Sequence, residues 1–254
     1  MKFFPFFVIT ALLSCAGFSA AMASEDTEGC SAYVPTVINV QPQFDETEYD
    51  YTTPMLQIKD LTNSKTEEVK GSKHSEEWPV GLSIGEMFFN INFDKLKMMS
   101  PNSQISCGQV SKVSVVFGFK NNKIYVAKEF PKRSCPFREV LRHEEMHKSV
   151  DRKITDEYTK KMQIALADLT KKIGMVKGSS PTIVDDKIDS IMNQSIRKIT
   201  QEIDEVHIER QKKVDTKEEY KRVTDSCDGQ TMEIVRSRIQ ILEETHPGIT
   251  KAGE

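Results

Sequence analysis

The chain has 254 residues and a net charge of −3, and 38% of its residues are hydrophobic while 29% are charged. This net charge is too small to bear on nucleic-acid binding, but the sequence has no basic patch interleaved with aromatic residues and so lacks the pattern of a nucleic-acid-binding protein. The composition is typical of a globular chain with room for one sizeable domain or two small ones, and the sequence contains no internal repeats.

Residues 1–23 have the pattern of a secretory signal peptide. Met1-Lys2 gives a short basic start, an apolar run follows over residues 3–13, and AMA at residues 21–23 resembles a cleavage site. The apolar run is shorter than the roughly 20 residues that a membrane-spanning helix needs. A competing interpretation is a lipoprotein, because LLSC ending at Cys15 resembles a lipidation box. We expect an exported protein in the periplasm, with a lipid anchor or secretion as alternatives and no transmembrane segment in the mature chain.

Short strands are predicted in the N-terminal half of the chain. Residues 24–105 form a polar segment in which β-like pieces such as YVPTVINV and MFFNINF are separated by turn-like residues. The second predicted unit, residues 106–254, begins with a β-hairpin over residues 110–127 that turns at Asn121-Asn122. These strands together predict a small antiparallel sheet.

Four cysteines remain after signal removal, namely Cys30, Cys107, Cys135 and Cys227. In an exported chain they predict two disulfides, for which three pairings are available. The predicted hairpin would bring Cys107 opposite Cys135, which favours Cys107–Cys135 together with Cys30–Cys227. A rival scheme joins Cys135 to Cys227.

From Pro136 onward the sequence has helical periodicity. Pro136 suits the first turn of a helix, and apolar residues then recur every three or four positions, at Val150, Ile154, Tyr158, Met162, Ala165, Leu169 and Ile173. The segment GMVKGSSPT at residues 174–182 breaks this helix, and a second amphipathic helix follows. The predicted fold class is α+β, with a small antiparallel sheet followed by a long antiparallel helical hairpin and shorter C-terminal helices.

The first of these helices carries the motif His-Glu-x-x-His. His143 and His147 are four residues apart, so they share one face of a helix, where two imidazoles can bind one tetrahedral zinc ion. Glu144, next to the first histidine, is then the candidate general base that takes a proton from a metal-activated water.

A catalytic zinc site usually has a third protein ligand. The candidates downstream are Asp151, Glu157, His207 and Asp215. If the helical hairpin turns at about residue 177, His207 lies beside His147, each roughly 40–45 Å from the turn, and Gln211 lies beside His143. Asp151 is two turns from His143 on the same helix and is poorly placed for an ion that both histidines bind. We predict that His207 is the third ligand, and that Gln211 or Asp215 orients a histidine through its other ring nitrogen.

Two segments of the sequence resemble a known family. CPF at residues 135–137 precedes HEEMH by a short interval, and HIERQKKVDTKEEY follows far downstream at residues 207–220. This combination resembles a family of exported bacterial proteins described as zinc-dependent proteases of the zincin type. The family's later motif, His-x-x-x-Gln followed by an apolar residue and Asp, is matched by His207, Gln211, Val214 and Asp215. The resemblance covers roughly residues 105–228 and implies a zinc cofactor. Residues 148–152 read KSVDR and lack the longer metzincin pattern.

These observations predict a zinc metallopeptidase that hydrolyses peptide bonds of a peptide or protein substrate in the cell envelope. Zinc would be bound by His143, His147 and His207, with Glu144 as the base, and an extended substrate would pair with the open edge of the 110–127 hairpin. The alternative is a non-catalytic envelope protein, in which a structural metal or the disulfides brace a helical hairpin that docks on a partner.

Overall fold

One strand of 21 residues organises the sheet in this computed structural model, which describes residue 30 and residues 34–68, 78–99 and 104–245. This strand, β4 (Ser106–Val126), pairs in parallel with β1 (Val37–Phe44) and β2 (Glu48–Asp50). It pairs antiparallel with β3 (Gly81–Met99) and β5 (Val176–Gly178). The predicted antiparallel sheet is therefore wrong. Alternating apolar residues identify a strand but carry no information on the direction of its partner.

The predicted hairpin over residues 110–127 is also wrong, because β4 runs straight through it. Asn121 has the positive φ of 53° that a turn would use, but it forms part of a β-bulge in which Asn121 and Asn122 lie opposite Gly85 of β3. Asn122 is buried, and its side-chain amide donates a hydrogen bond of 2.8 Å to the backbone oxygen of Asp45. The asparagine pair thus contacts the connection between β1 and β2.

Two long helices cover one face of the sheet. α2 (Cys135–Ile173) begins at Ser134, whose side chain accepts a hydrogen bond from the backbone N–H of Phe137, and α3 (Pro181–Lys212) begins at Ser180 in the same way. Their apolar faces pack against the inner face of β4, because alternate residues of this strand are bulky and apolar. The buried residues of this core are Val110, Val113, Val115, Phe117, Phe119, Ile154, Tyr158, Met162, Leu166, Val184, Ile188, Met192 and Ile203.

Three shorter helices build a second core at the beginning of α2. They are α1 (Met55–Glu68), α4 (Lys217–Asp225) and α5 (Gln230–Thr245). The buried residues of this cluster are Met55, Ile58, Val126, Ala127, Phe130, Phe137, Val140, Val223 and Val235. This packing places α4 next to the first turns of α2, where the two motif histidines lie.

The four cysteines form two disulfides, as expected, but not in the favoured pairing. Cys30 is bonded to Cys107, and Cys135 is bonded to Cys227, which is the rival scheme for the second pair. Because β4 is extended, Cys107 near its beginning is roughly 60 Å from its far end at about 3.3 Å per residue, so Cys107 cannot reach Cys135. The Cys135–Cys227 disulfide joins the first residue of α2 to the turn before α5.

Strands on both sides of residue 105 belong to one sheet, since β3 pairs with β4 along its length. The predicted boundary at residue 105 therefore falls between two paired strands of this sheet. The predicted signal peptide and the alternative lipidation site at Cys15 lie outside the described residues. Among the described helices, none is both long enough and apolar enough to cross a membrane.

Candidate metal centre

Three side-chain atoms converge on one point between α2 and the segment that joins α3 to α4. The Nε2 atoms of His143 and His147 are 3.3 Å apart, and Oδ1 of Asp215 is 3.4 Å from the first and 3.0 Å from the second. Ligand atoms at about 2.0–2.1 Å from a tetrahedral zinc ion are about 3.3 Å from one another. The three atoms therefore match one face of a zinc tetrahedron, and this group could hold a metal ion.

Asp215 reaches this point because the chain turns tightly after α3. Its backbone N–H donates to the oxygen of Gln211 at 3.3 Å, and the next residue, Thr216, caps α4 by accepting a hydrogen bond from the backbone N–H of Glu219. The hydroxyl of Tyr220, on the first turns of α4, donates to Oδ1 of Asp215 at 3.1 Å. The sequence DTKEEY thus positions the carboxylate and fixes its orientation.

The electrostatics of this group favour positive charge. Burial lowers the pKa of His147, but the hydrogen bond to Asp215 and the charge of Glu144 outweigh burial and raise that pKa to about 9. Burial also lowers the pKa of His143, and the bond to Asp215 again raises it overall. Burial alone would raise the pKa of Asp215, yet the hydrogen bonds from the two histidines hold it well below its usual range. A metal ion binding these atoms would displace the proton that they share.

The other nitrogen of each imidazole faces an acceptor. Nδ1 of His147 lies 2.7 Å from Oε1 of Gln211, and Nδ1 of His143 lies 3.5 Å from Oε1 of Glu219. Glu219 is held in turn by two bonds of 2.7 Å from the guanidinium of Arg222. A histidine that donates from Nδ1 presents the lone pair of Nε2, which is the arrangement that metal-binding histidines commonly have.

Glu144 lies beside the histidines, against the beginning of β3. Its side chain is buried, with an exposed fraction of 5%, and a Cβ atom at Gly81 would lie only 2.5 Å from its Oε1. Glycine at position 81 therefore lets the carboxyl group approach the strand. Burial raises the pKa of Glu144 to about 7, although His147, His143 and a hydrogen bond from the backbone of Ser83 lower it. A carboxyl group with a pKa near neutrality is suited to both accept and release a proton.

His207, the predicted third ligand, is placed elsewhere. Its Nε2 lies 2.8 Å from Oδ1 of Asp151, so it faces α2 one turn beyond His147. A position of His207 beside His147 requires a tight, symmetric turn between α2 and α3, whereas their connection contains β5, which pairs with β4. As a result Gln211 lies beside His147, and the predicted role of Gln211 as a histidine's hydrogen-bond partner agrees with this placement.

Sequence reasoning assigned Asp215 only a supporting position and did not identify Glu219 at all. A signal for both was present, because Asp215 and Glu219 are four residues apart at the beginning of a capped helix. Such a pair can face the His143–His147 pair, and here Asp215 lies near both imidazoles while Glu219 lies near that of His143. The other weighed residue, Glu157, instead pairs with Arg210 at 2.7 Å.

The edge of the sheet next to Glu144 is formed by β3. Within the described residues this strand pairs only with β4, so its outer edge has no strand partner there. Glu144 contacts this strand at its first residues through Gly81 and Ser83. An open strand edge therefore runs past the candidate metal centre.

Comparison with known proteins adds no assignment, since no family model, no curated protein and no solved structure matches the chain.

Proposed function

We propose that the protein is a zinc-dependent metallopeptidase of the cell envelope. The observation that carries this proposal is the triangle of His143, His147 and Asp215 atoms, with edges of 3.0–3.4 Å, beside the buried carboxyl group of Glu144. Three protein ligands with one remaining position for water or substrate are typical of catalytic zinc sites. The resemblance of the two motifs to zincin-type proteases leads to the same expectation. The two disulfides are compatible with the oxidising environment of an exported protein.

In the proposed reaction the zinc ion and the side chains of the protein would have separate roles. A zinc ion bound by the three residues would supply a Lewis acid that polarises water and a peptide carbonyl. Glu144 accepts the proton of the attacking water and then donates it to the departing amine, for which its pKa of about 7 is suitable. His143 and His147 are kept in orientation by Glu219 and Gln211, so their Nε2 atoms need little rearrangement during the reaction.

The substrate would bind as an extended peptide along β3. An open strand edge offers backbone N–H and C=O groups, which pair with any extended chain regardless of its side chains. Because Glu144 touches β3 at Gly81 and Ser83, a peptide paired there would pass the general base. The edge of β3 thus replaces the hairpin edge that the sequence suggested.

The test is a comparison of Glu144→Gln with Glu145→Gln in the purified mature protein. Glu145 is the exposed neighbour of the base, so its substitution is a matched control. Glu144→Gln is expected to retain stoichiometric zinc and to lower cleavage of a peptide library by about 10²–10⁴-fold, the usual contribution of a general base. Unchanged cleavage by Glu144→Gln, with zinc present, would reject Glu144 as the base.

A second candidate function is a non-catalytic protein with a structural metal. The observation that favours it is the Tyr220 hydroxyl, which lies 3.1 Å from Oδ1 of Asp215, one of the three candidate ligand atoms. The Cys135–Cys227 disulfide also braces the helix that bears the histidines. Stoichiometric zinc in a wild-type protein that cleaves no member of a broad peptide library would favour this function.

A further inference from the structure

A carboxylate is buried behind the candidate metal centre and is linked to it through a side-chain amide. Asp151 lies one helical turn after His147 on α2, and only 5% of its surface is exposed. Its Oδ1 accepts a hydrogen bond of 2.6 Å from the side-chain amide of Gln211 and one of 2.8 Å from Nε2 of His207. A buried carboxylate is costly unless donors satisfy it. An apolar residue at position 151 could not accept these two hydrogen bonds.

The role follows from what each group can donate. Oδ1 of Asp151 accepts both of these hydrogen bonds, so the Gln211 atom that faces it is the amide nitrogen. The amide oxygen of Gln211 then faces Nδ1 of His147, at 2.7 Å. Because that oxygen only accepts, His147 must carry a hydrogen on Nδ1.

The reversed amide would have the opposite effect. It would place an oxygen 2.6 Å from the Asp151 carboxylate and an N–H group against Nδ1 of His147. The imidazole would then keep its hydrogen on Nε2, the atom that lies in the triangle with His143 and Asp215. The same amide nitrogen also donates to the backbone oxygen of His147 at 3.3 Å, so Asp151, with the shorter bond of 2.6 Å, and this carbonyl together favour the orientation in which Nε2 of His147 presents a lone pair.

We propose that Asp151 and His207 are a pair of positioning residues that fix the orientation of the Gln211 amide and, through it, keep Nε2 of His147 available to a metal ion. The inference rests on the metal centre that the proposed function requires. His207 supplies the second donor to Asp151, and its ring packs against Phe119 of β4 with centroids 5.1 Å apart. His207, the histidine of the second motif, is therefore connected to His147 by three successive hydrogen bonds. They join His207 to Asp151, Asp151 to Gln211, and Gln211 to His147.

The experiment exchanges the amide and the acid. Asp151→Asn gives Gln211 a partner that can also donate, so the shorter of the two hydrogen bonds that orient the amide no longer selects one orientation. Gln211→Glu places a second carboxylate against Asp151. The double variant Asp151→Asn/Gln211→Glu restores a complementary donor and acceptor between positions 151 and 211, because the amide at position 151 then donates to the carboxylate at position 211, which also accepts from Nδ1 of His147. Asp185→Asn is the control, since it removes an ion pair with Lys97 at 2.7 Å on the distant part of α3.

Zinc affinity is measured by competition with a chromophoric chelator, and the visible spectrum of the cobalt-loaded protein reports ligand geometry. Each single variant is expected to bind zinc about 10–100-fold more weakly than Asp185→Asn, the usual effect of removing the hydrogen-bond partner of a ligand. The double variant is expected to recover most of this loss and the wild-type cobalt spectrum. Wild-type affinity in Asp151→Asn, or a double variant that is weaker than both single variants, would overturn the proposal.

These readouts do not depend on peptide cleavage. A protein that binds zinc, shows the predicted ranking of variants and cleaves no peptide would refute the peptidase function while supporting the role of Asp151. A protein that cleaves peptides with unchanged zinc affinity in Asp151→Asn would refute the positioning role alone.

Discussion

Two substitutions distinguish Asp215 from His207 as the third ligand of the proposed zinc site. Asp215→Asn keeps the size of the side chain but removes the negative charge from the atom that lies 3.0 Å and 3.4 Å from the two imidazole nitrogens. Zinc sites with four protein ligands bind with about 10–16 kcal/mol, so one ligand corresponds to about 3 kcal/mol, or roughly a hundredfold in affinity. His207→Gln retains an N–H donor for Asp151 and is expected to change zinc affinity by less than about tenfold.

Both variants can be measured by chelator competition at a fixed pH, and circular dichroism checks that each remains folded. We expect the affinity of Asp215→Asn to fall by roughly a hundredfold while that of His207→Gln stays near the wild-type value. The reverse ranking, with zinc lost in His207→Gln and kept in Asp215→Asn, would refute the assignment of Asp215. It would also mean that α3 takes a different register against α2 when metal is bound.

Three further predictions concern the disulfide, the base and acid stability. Cys227→Ser opens a loop of about 90 residues and should lower the free energy of unfolding by about 4 kcal/mol. Chemical denaturation would then show a lower midpoint, and an unchanged midpoint would count against this disulfide. Gly81→Ala should displace the Glu144 carboxyl group and reduce cleavage by roughly 10–100-fold with zinc content unchanged, whereas wild-type cleavage would show that the contact is not tight. The pKa values of Asp50 and Glu157 are lowered to about 2, chiefly by the backbone N–H of Thr52 and the Arg210 guanidinium. Both pKa values are lower in the folded than in the unfolded state, so the two carboxylates stabilise the fold fully above about pH 4.5. This stabilisation, about 1 kcal/mol for each group, is lost as the pH falls toward 2. An Asp50→Asn/Glu157→Gln variant whose free energy of unfolding has the same dependence on acid pH would contradict this.

The His143–His147 part of the candidate site could be predicted because the sequence pattern that indicates it is local. The spacing of His143 and His147 and the cap-and-proline start of α2 each lie within a few residues, where helix geometry fixes their relation. The third position could not be predicted in the same way, because it depends on how two helices of about 30–40 residues are aligned. The small strand β5 in their connection shifts that alignment by one turn, and so Gln211 lies where His207 was expected.

The sheet shows the same limit at longer range. The apolar alternation of KVSVVFGF correctly indicates a buried strand, but Asn121-Asn122 can form either a hairpin turn or a bulge. The choice is made by contacts far away in sequence, namely the Asn122 amide on Asp45 and the pairing of β2 beyond the bulge. The favoured disulfide pairing depended on the hairpin and was lost with it, because an extended β4 separates Cys107 from Cys135.

Anomalous X-ray scattering at the zinc absorption edge, from crystals of the protein, tests the proposed centre most directly. We expect one strong peak at about 2.0–2.1 Å from Nε2 of His143, Nε2 of His147 and Oδ1 of Asp215. A peak between His207 and Asp151, or no peak in crystals grown with stoichiometric zinc, would contradict the proposed metal centre and with it the peptidase function.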